Sequence, residues 1–240
     1  MADRDPHSVL MIVRRAPDKR INAVTEALMI ANREHPGLNA HLDVYGYFDG
    51  SNNNQTNRDL LKLFEEFKLA KPTMLDDQDQ PTDDITKVRR IESDVVTLHN
   101  YVTDRDELYR IHRRHQVYAL ASIMEGFNIS MMEAMANGEP AISTDVNYGP
   151  NDLVVHGKNG YLTRWAPQGE ESLFVKEMAD RFYEVFSSDK KLQELSDQAY
   201  DLSSRYYEET VWDAWKQLIA DANKQWPELY QQHFDLPRYG

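Results

Sequence analysis

Residues 117–140 read VYALASIMEGFNISMMEAMANGEP, and this stretch indicates the fold of the chain. Its first five residues, Val117 to Ala121, form a continuous apolar run, which is typical of a strand buried on both faces of a parallel sheet. A loop that contains a glycine follows, and a helix is expected to begin near Ser130. A strand, a loop and a helix in this order predict one unit of an alternating α/β sheet.

The same alternation extends in both directions from this stretch. Further strands are predicted at residues 9–13, 42–46, 95–98, 141–143 and 160–163, with helices at 21–34, around 60–67 and at 107–114. We therefore predict an α/β fold, in which a Rossmann-like parallel sheet is flanked by helices. Such sheets bind ligands at the carboxyl ends of their strands, so the loops after residues 13 and 121 are expected to share one site.

Residues 69–93 interrupt the alternation. They are polar, acidic and contain prolines, which predicts an excursion on the surface of the domain. The aspartates between residues 76 and 84 could suggest a cation site, but they lack the glycine turn and the terminal glutamate of a calcium loop. We therefore favour a solvated loop.

The chain is predicted to be helical after residue 170, at 173–186, 192–202 and 210–222. We expect a Rossmann-like domain over residues 1–222 and a C-terminal tail over 223–240. The last helix and the tail carry an apolar stripe that must be buried on the sheet or on another chain. Its members are Trp212, Trp215, Leu218, Ile219, Trp226, Leu229, Tyr230 and Phe234.

The composition limits the classes of function. A chain of 240 residues with 41% apolar residues can form a globular core, and it contains no apolar run long enough to span a bilayer. The absence of cysteine excludes disulfides and cysteine-based zinc sites. A net charge of −13 disfavours nucleic acid and anionic membranes as partners. The basic residues are clustered, at Arg14, Arg15, Lys19 and Arg20 and at Arg110, Arg113 and Arg114, which favours a small anionic ligand.

The loop and helix of the opening stretch carry two carboxylates, Glu125 and Glu133, eight residues apart. Ser130 and Glu133 fit a capping box, in which the serine side chain bonds the backbone N–H three residues on. This places Glu133 in the first helical turn and Glu125 on the loop, with both facing one cavity. Free N–H groups at a helix start bind anions, so a phosphate is expected near Ile129 and Ser130.

Arg14 and Lys19 lie on the turn that leaves the first strand through Pro17. By itself this turn could be an ordinary solvated basic turn. Together with the Glu125 loop, it predicts two cations that neutralise a diphosphate.

The Glu125-x7-Glu133 element with its Gly138-Glu139-Pro140 tail resembles the donor-binding signature of retaining GT-B glycosyltransferases of the family-four type. The continuation DVNYGPNDLV at 145–154 and GKNGYL at 157–162 is similar to bacterial poly(glycerol-phosphate) alpha-glucosyltransferases and to glycosyltransferases that modify surface adhesins. The resemblance extends from about residue 9 to about residue 219 and covers one half of a GT-B fold, the C-terminal half.

The resemblance implies roles for individual residues. Arg14 and Lys19 would hold the phosphates of the donor and stabilise the leaving diphosphate. Glu125 would contact the transferred sugar, and these three residues would carry catalysis. Glu133 would bind the ribose hydroxyls. The implied donor-binding set is Arg14, Lys19, Glu125, Gly126, Phe127, Asn128, Ile129, Ser130 and Glu133, and the nucleotide base would contact Tyr101 and Val102.

The function implied is that of the donor-binding half of a retaining glycosyltransferase. It would transfer glucose or N-acetylglucosamine from a UDP-sugar to a bacterial cell-surface polymer, such as a teichoic acid, or to a surface protein. No metal or other cofactor is expected, because the Arg/Lys pair replaces the divalent cation that other glycosyltransferase folds use. The family's N-terminal acceptor domain has no counterpart here, so a partner is expected: such a domain or a second glycosyltransferase chain.

A cytoplasmic location is expected, with a partner bringing the chain to the inner face of the membrane. The alternative function is a catalytically incomplete module that binds a nucleotide sugar or a partner glycosyltransferase.

Other positions are less informative or depart from the family. Asn128 stands where glycine is frequent, and asparagine tolerates the same left-handed backbone. Phe48 also stands in place of a frequent glycine. His112 and His115 are expected to belong to a solvated helix end, because no carboxylate or further histidine completes a metal site in the sequence nearby.

Overall fold

The computed structural model describes the backbone of residues 3–47 and 50–233, and the side chains of these residues other than 51–53 and 227–233. In this part of the chain the strands form one sheet. The strands are β1 Ser8–Ile12, β2 His41–Tyr45, β3 Thr73–Leu75, β4 Arg90–Glu92, β5 Val96–His99, β6 Val117–Leu120, β7 Ala141–Thr144 and β8 Gly160–Thr163. The six strands predicted from the apolar runs are confirmed to within one residue at each end.

The order of the strands across the sheet is β3-β4-β5-β2-β1-β6-β7-β8. From β5 to β8 every neighbouring pair is parallel. The chain passes from β1 to β2 on one side and later returns to β6 on the other side of β1. The direction of winding therefore reverses between β1 and β6, and a doubly wound sheet binds its ligands at such a switch point.

The segment 69–93 adds to this sheet. β3 and β4 pair antiparallel with each other, and β4 pairs antiparallel with β5. The sequence did not predict these strands, because three residues are too few to show an alternating pattern. The tip between them is exposed, as predicted, and Asp76 accepts hydrogen bonds at 2.9 Å from the backbone N–H groups of Gln78 and Gln80. Asp76 thus caps a turn.

The helices are α1 Ile21–Glu34, α2 Gly50–Glu66, α3 Arg105–Arg114, α4 Ile129–Ala136, α5 Pro150–Leu153, α6 Ser172–Phe186, α7 Asp189–Ser203 and α8 Glu208–His233. Helix α1 shows why these elements form: Val24, Ala27, Leu28 and Ala31 recur at helical spacing and are fully or almost fully buried. Helix α1 packs against α6. Phe174, Met178 and Phe182 form the buried side of α6. The predicted α/β fold with a parallel sheet flanked by helices is confirmed.

The chain divides into two units, residues 1–202 and 203–240. The predicted boundary between residues 222 and 223 falls inside α8, and the domain assignment itself stays a prediction. In the second unit Trp212, Trp215 and Trp226 are exposed, together with Leu218 and Ile219.

Parts of two predictions concern residues that the structure does not describe. Phe48 and Phe234 lie outside the described residues, and the side chains of Leu229 and Tyr230 are not described either. Among the described residues, no helix combines the length and the apolar character that crossing a membrane requires.

Polar side chains occupy one face of the sheet at β2 and β5. Asp43 lies at the centre of what we call the Asp43 cluster, in which His99 and His115 donate to its two carboxylate oxygens. His41 Nε2 lies 3.7 Å from the same carboxylate. Burial alone would raise the pKa of Asp43, but the interactions with His115, His41 and His99 hold it well below its usual range. Burial alone would lower the pKa of His41, but Asp43 and the backbone carbonyl of Asp94 raise it.

We expect the Asp43 cluster to make the protein more stable at about pH 6 than at about pH 8. The raised pKa of His41 contributes stability that is present below the histidine's unfolded pKa and is lost as the pH rises through the folded one. The lowered pKa of Asp43 contributes stability above its unfolded pKa, which is lost in acid. Thermal unfolding across this range should show a fall of a few degrees. The Asp43→Asn variant should show a smaller fall, and an unchanged fall in that variant would contradict the assignment.

Candidate functional site

The turn that follows β1 is held in place by its local 3-10 geometry and by the buried side chain of Arg20. Pro17–Lys19 form a 3-10 turn, which ends at Arg20 in the left-handed conformation with φ of 48°. The Arg20 side chain is buried, donates from Nη2 to the Ala166 carbonyl at 2.8 Å and places Nε 3.1 Å from the Glu171 carboxylate. The turn is therefore anchored to the segment after β8, and the position of Lys19 is fixed.

The four basic residues of this segment do not form one cationic pocket as the sequence suggested. Arg15 and Arg20 point into the interior and are each about 1% exposed. Arg15 donates to the carbonyls of Arg89, at 2.6 Å, and His99, so it connects the turn to the segments around β4 and β5. Burial, with a smaller effect of the nearby Arg89 charge, lowers the pKa of Arg15 to about 10. Both guanidinium groups donate to backbone oxygens, a role that composition cannot reveal.

Lys19 and Glu125 meet at the switch point, as the sequence predicted. Lys19 Nζ lies 2.7 Å from Glu125 Oε1, and Ser122 Oγ donates to the same oxygen at 2.6 Å. The Lys19 side chain is 16% exposed and that of Glu125 is 10% exposed. A partly buried ion pair whose carboxylate accepts a second hydrogen bond is a preorganised polar site.

Arg14 lies at the rim of this site. It is half-exposed and its Nη2 lies 3.3 Å from Asp18, whose carboxylate is also 3.8 Å from Lys19 Nζ. The Asp18 carbonyl accepts from the backbone N–H of Ile123 at 2.9 Å, which joins the basic turn to the Glu125 loop. Both cations of the site thus face carboxylates, and a phosphate that binds them must compete with Asp18 and Glu125.

The start of α4 differs from the prediction in its cap. The helix begins at Ile129, and the capping residue is Asn128, whose side-chain oxygen accepts from the Met131 N–H at 2.8 Å. The predicted capping box from Ser130 is wrong, because Ser130 lies inside the first turn of the helix. The residue that precedes the helix and caps it is Asn128, in the left-handed conformation with φ of 63°. By position, the N–H groups of Ile129 and Ser130 lack acceptors within the helix, and anion binding at these two residues stays a prediction.

Replacing Asn128 with alanine should destabilise the protein by about 1–2 kcal/mol, because the cap is lost and alanine disfavours a left-handed backbone. Glycine at the same position restores the backbone freedom and should recover most of that loss. Urea unfolding of the Asn128→Ala and Asn128→Gly variants measures both effects. Equal stability of the two variants would show that the left-handed conformation costs nothing here.

The loop after β7 closes against the Glu125 loop. Tyr148 donates its backbone N–H to the Glu125 carbonyl at 3.3 Å. At Gly149, which has φ of 79°, an added Cβ would lie 2.5 Å from the Phe127 carbonyl oxygen. Only glycine permits this approach, so the sequence NYGP at 147–150 shapes the wall of the site.

The other predicted site residues lie on the Glu125 loop, on α4 and after β5. Glu133 lies in the second turn of α4, and it is partly exposed. Tyr101 follows β5 and is exposed, and Val102 is partly exposed. In the described part of the chain, no hydrogen bond links these three side chains to the pair of Lys19 and Glu125. Gly126 and Phe127 are exposed on the loop itself. Their individual roles stay predictions.

Sequence reasoning missed several residues that build the site. Ser122 could have been suspected, because it follows a buried strand three residues before Glu125. Asp18 and the pair of Arg20 and Glu171 gave no comparable signal, since the Asp18 carbonyl bonds Ile123 and Arg20 pairs with Glu171, both far away in sequence.

His112 and His115 are not at a solvated helix end, as had been expected. His112 is fully buried and its Nδ1 lies 2.7 Å from Glu139 Oε1, which is also fully buried. His115 is buried against Asp43 at 3.1 Å. The expectation failed because His112, on α3, and His115, directly after it, each contact a carboxylate from a distant segment. Among the described residues, no group of three His, Asp or Glu side chains is arranged to hold a metal ion.

The site combines a Rossmann-like sheet, a switch point and fixed cations beside a helix start, and this combination defines a class of nucleotide-binding domains. The family description "Glycosyl transferases group 1" matches residues 2–201, and the chain belongs to this family. The family predicted from the Glu125–Glu133 element is confirmed.

Two curated relatives and one solved structure illustrate the match. The UDP-N-acetylglucosamine–peptide N-acetylglucosaminyltransferase GtfA subunit of Streptococcus gordonii is 28% identical over 218 residues, 91% of this chain and 36% of the relative. The poly(glycerol-phosphate) alpha-glucosyltransferase of Bacillus subtilis is 29% identical over 94 residues, 39% of this chain and 13% of the relative. The pneumococcal O-GlcNAc transferase GtfA, solved with UDP and GlcNAc, has a TM-score of 0.66 and 22% identity, covering 92% of this chain and 36% of that chain.

These matches confirm the predicted similarity to both groups of bacterial glycosyltransferases. The solved structure supports the fold. The S. gordonii relative matches most of this chain, and this chain spans about a third of the length of that relative.

Proposed function

We propose that this chain is the donor-binding half of a retaining glycosyltransferase, which transfers glucose or N-acetylglucosamine from a UDP-sugar to a bacterial surface polymer or protein. The observation that carries this proposal is the contact of Lys19 with Glu125 at the switch point. It joins a cation to a carboxylate on the loop that leads into a helix start, and this arrangement supports the binding of a donor's phosphate and sugar. The names of the relatives supply the sugars and the acceptors.

The chemistry follows from these positions. The bond between the anomeric carbon and the phosphate oxygen breaks, and negative charge accumulates on the leaving diphosphate. Arg14 and Lys19 stabilise that charge more in the transition state than in the bound donor. The acceptor hydroxyl attacks from the face that the diphosphate leaves and passes its proton to the leaving phosphate. The two glutamates bind the donor, so the two-carboxylate scheme of glycoside hydrolases does not apply.

Arg14 and Lys19 supply the positive charge that a divalent cation supplies in other glycosyltransferase folds, so we propose a metal-independent reaction. We also propose that the acceptor side of the cleft comes from another domain or chain, in keeping with the name of the S. gordonii relative as a subunit. The reaction would take place in the cytoplasm, where UDP-sugars are the donors.

Calorimetric titration with UDP, UDP-glucose, UDP-N-acetylglucosamine and GDP-mannose tests the donor site. We expect the uridine nucleotides to bind and the Lys19→Ala, Glu133→Ala double variant to lose binding. If no nucleotide binds to the wild-type chain, the proposed donor site is refuted.

A second candidate function is a nucleotide-sugar-binding or partner-binding module without catalysis of its own, because the chain spans about a third of the S. gordonii relative. Transfer of sugar by the purified chain, alone and with a candidate partner, separates the two functions. Binding without transfer in both assays would favour the module.

Replacing Glu125 with glutamine should lower the affinity for UDP-glucose relative to the affinity for UDP. The neutral amide releases Lys19 from its 2.7 Å ion pair, so UDP should bind as well as before or better. UDP-glucose should lose its advantage over UDP, because the amide is a poorer acceptor for the sugar hydroxyls. Calorimetry with both ligands measures the ratio of their affinities. A parallel loss for both ligands would show that Glu125 does not contact the sugar.

A further inference from the structure

A cavity of about 540 Å³ lies beside the donor site and has no part in the function proposed so far. Its walls come from three neighbouring strand ends: Ile123 and Met124 after β6, Asp145, Val146 and Asn147 after β7, and Trp165 after β8. Its volume falls within the range of small-molecule sites, about 300–1,000 Å³. Because β6, β7 and β8 are neighbours in the sheet, the cavity lies at the same carboxyl edge as Glu125.

The indole ring of Trp165 forms a fixed wall of this cavity. It is 42% exposed, and its Nε1 donates to the Ile123 carbonyl at 2.9 Å. A hydrogen-bonded indole cannot turn freely, so its face remains available to a ligand at little entropic cost. Val146 also lines the cavity and is almost fully buried.

The polar groups of the cavity indicate the charge of the ligand. Asp145 and Asn147 are exposed, and they contribute a carboxylate and an amide. The lining contains no lysine or arginine among the described residues, so a phosphate polymer would meet a negative charge without a cation. An aromatic face with a carboxylate and an amide is suited to a neutral sugar ring, whose apolar face stacks and whose hydroxyls form hydrogen bonds.

The cavity is connected directly to the residues of the donor site. The backbone N–H of Ile123 donates to the Asp18 carbonyl at 2.9 Å, next to Lys19. The Tyr148 N–H donates to the Glu125 carbonyl, just beyond the Asp145–Asn147 wall. A ring held in the cavity would therefore lie beside the sugar that Glu125 is expected to hold.

We propose that this cavity, the Trp165 pocket, binds a neutral hexopyranose of the glycosyl acceptor. The inference rests on the proposed function, because it takes the Glu125 side of the site as the place of the donor sugar. It means that this half of the enzyme contributes to acceptor recognition and selects acceptors that already carry a sugar over bare polyol-phosphate chains.

The test uses the full chain with ¹⁵N-labelled tryptophan, which gives four indole signals. The protein is saturated with UDP and titrated with methyl α-D-glucopyranoside and with the corresponding methyl N-acetylglucosaminide. We expect the Trp165 signal alone to shift, with a dissociation constant of about 1–10 mM, as ligands of this size allow. An unchanged Trp165 signal at saturating glycoside would overturn the proposal.

Variants of Trp165 test whether this side chain binds the glycoside. Saturation-transfer NMR of the glycoside should show a loss of affinity of about tenfold or more in Trp165→Ala and a smaller loss in Trp165→Phe, which keeps an aromatic face. Trp212→Ala, in the second unit of the chain, is the matched control and should bind as the wild type does. Equal binding by Trp165→Ala and wild type would also overturn the proposal.

Three outcomes separate this inference from the proposed function. If UDP binds and glycosides do not, the donor site stands and the Trp165 pocket is refuted as a sugar site. If glycosides bind and UDP does not, the pocket stands as a sugar site and its assignment to a glycosyl acceptor fails with the donor function. If UDP-glucose displaces the glycoside and UDP does not, the pocket holds the donor sugar, and the acceptor assignment is overturned.

Discussion

Replacement of Lys19 by alanine will reduce the affinity of this chain for UDP by about 10- to 150-fold. A hydrogen bond to a charged group contributes about 1.5–3 kcal/mol, and each 1.4 kcal/mol is a factor of ten in affinity. The loss should fall toward the upper end, because the variant leaves Glu125 facing the phosphates without its 2.7 Å partner. Calorimetry at constant ionic strength measures the effect, since added salt weakens it.

The control for Lys19 is Lys190→Ala. Lys190 is highly exposed on α7 and pairs with Glu194 at 3.7 Å, far along the sequence from the site. Its removal lowers the net charge by the same amount and should leave UDP affinity within about twofold. If both variants lose affinity equally, the effect is one of overall charge, and Lys19 does not contact the phosphates.

The sequence predicted the parallel sheet well, because the central strands β1 and β6 are largely apolar runs and helix-forming segments follow them. It predicted that Lys19 and Glu125 converge from a rule about strand ends, without knowledge of the strand order. The structure supplies the reason: β1 and β6 are neighbours across the switch point. Adjacency of strands separated by about a hundred residues cannot be read from local patterns.

Other features were missed because they depend on contacts between distant segments. The buried positions of Arg15 and Arg20 follow from backbone oxygens at Arg89, His99 and Ala166. Ser130 fitted a local capping pattern, but the left-handed Asn128 precedes it and forms the cap. In each case the sequence drew attention to the residue, but it did not show the contacts that decide its role.

The pair of His112 and Glu139 is the interaction whose loss should cost the most stability. Both side chains are fully buried and are joined at 2.7 Å, between α3 and the segment that leads into β7. Burial raises the pKa of Glu139, although His112 opposes the shift. Within the described structure, His112 Nε2 and Glu139 Oε2 have no hydrogen-bond partner. Removing one member therefore leaves a buried polar group with no compensation, which costs about 3–5 kcal/mol.

A double-mutant cycle distinguishes this pair from ordinary packing. His112→Leu and Glu139→Met should each lower the free energy of unfolding in urea by several kcal/mol, roughly as buried pairs do when one partner is removed. The double variant should recover much of that loss, because an apolar pair of similar volume needs no hydrogen bonds. Asp83→Asn, which breaks the exposed pair with Lys71, is the control and should change stability little. Additive losses in the cycle would mean that His112 and Glu139 stabilise the fold separately, and that α3 is held by packing alone.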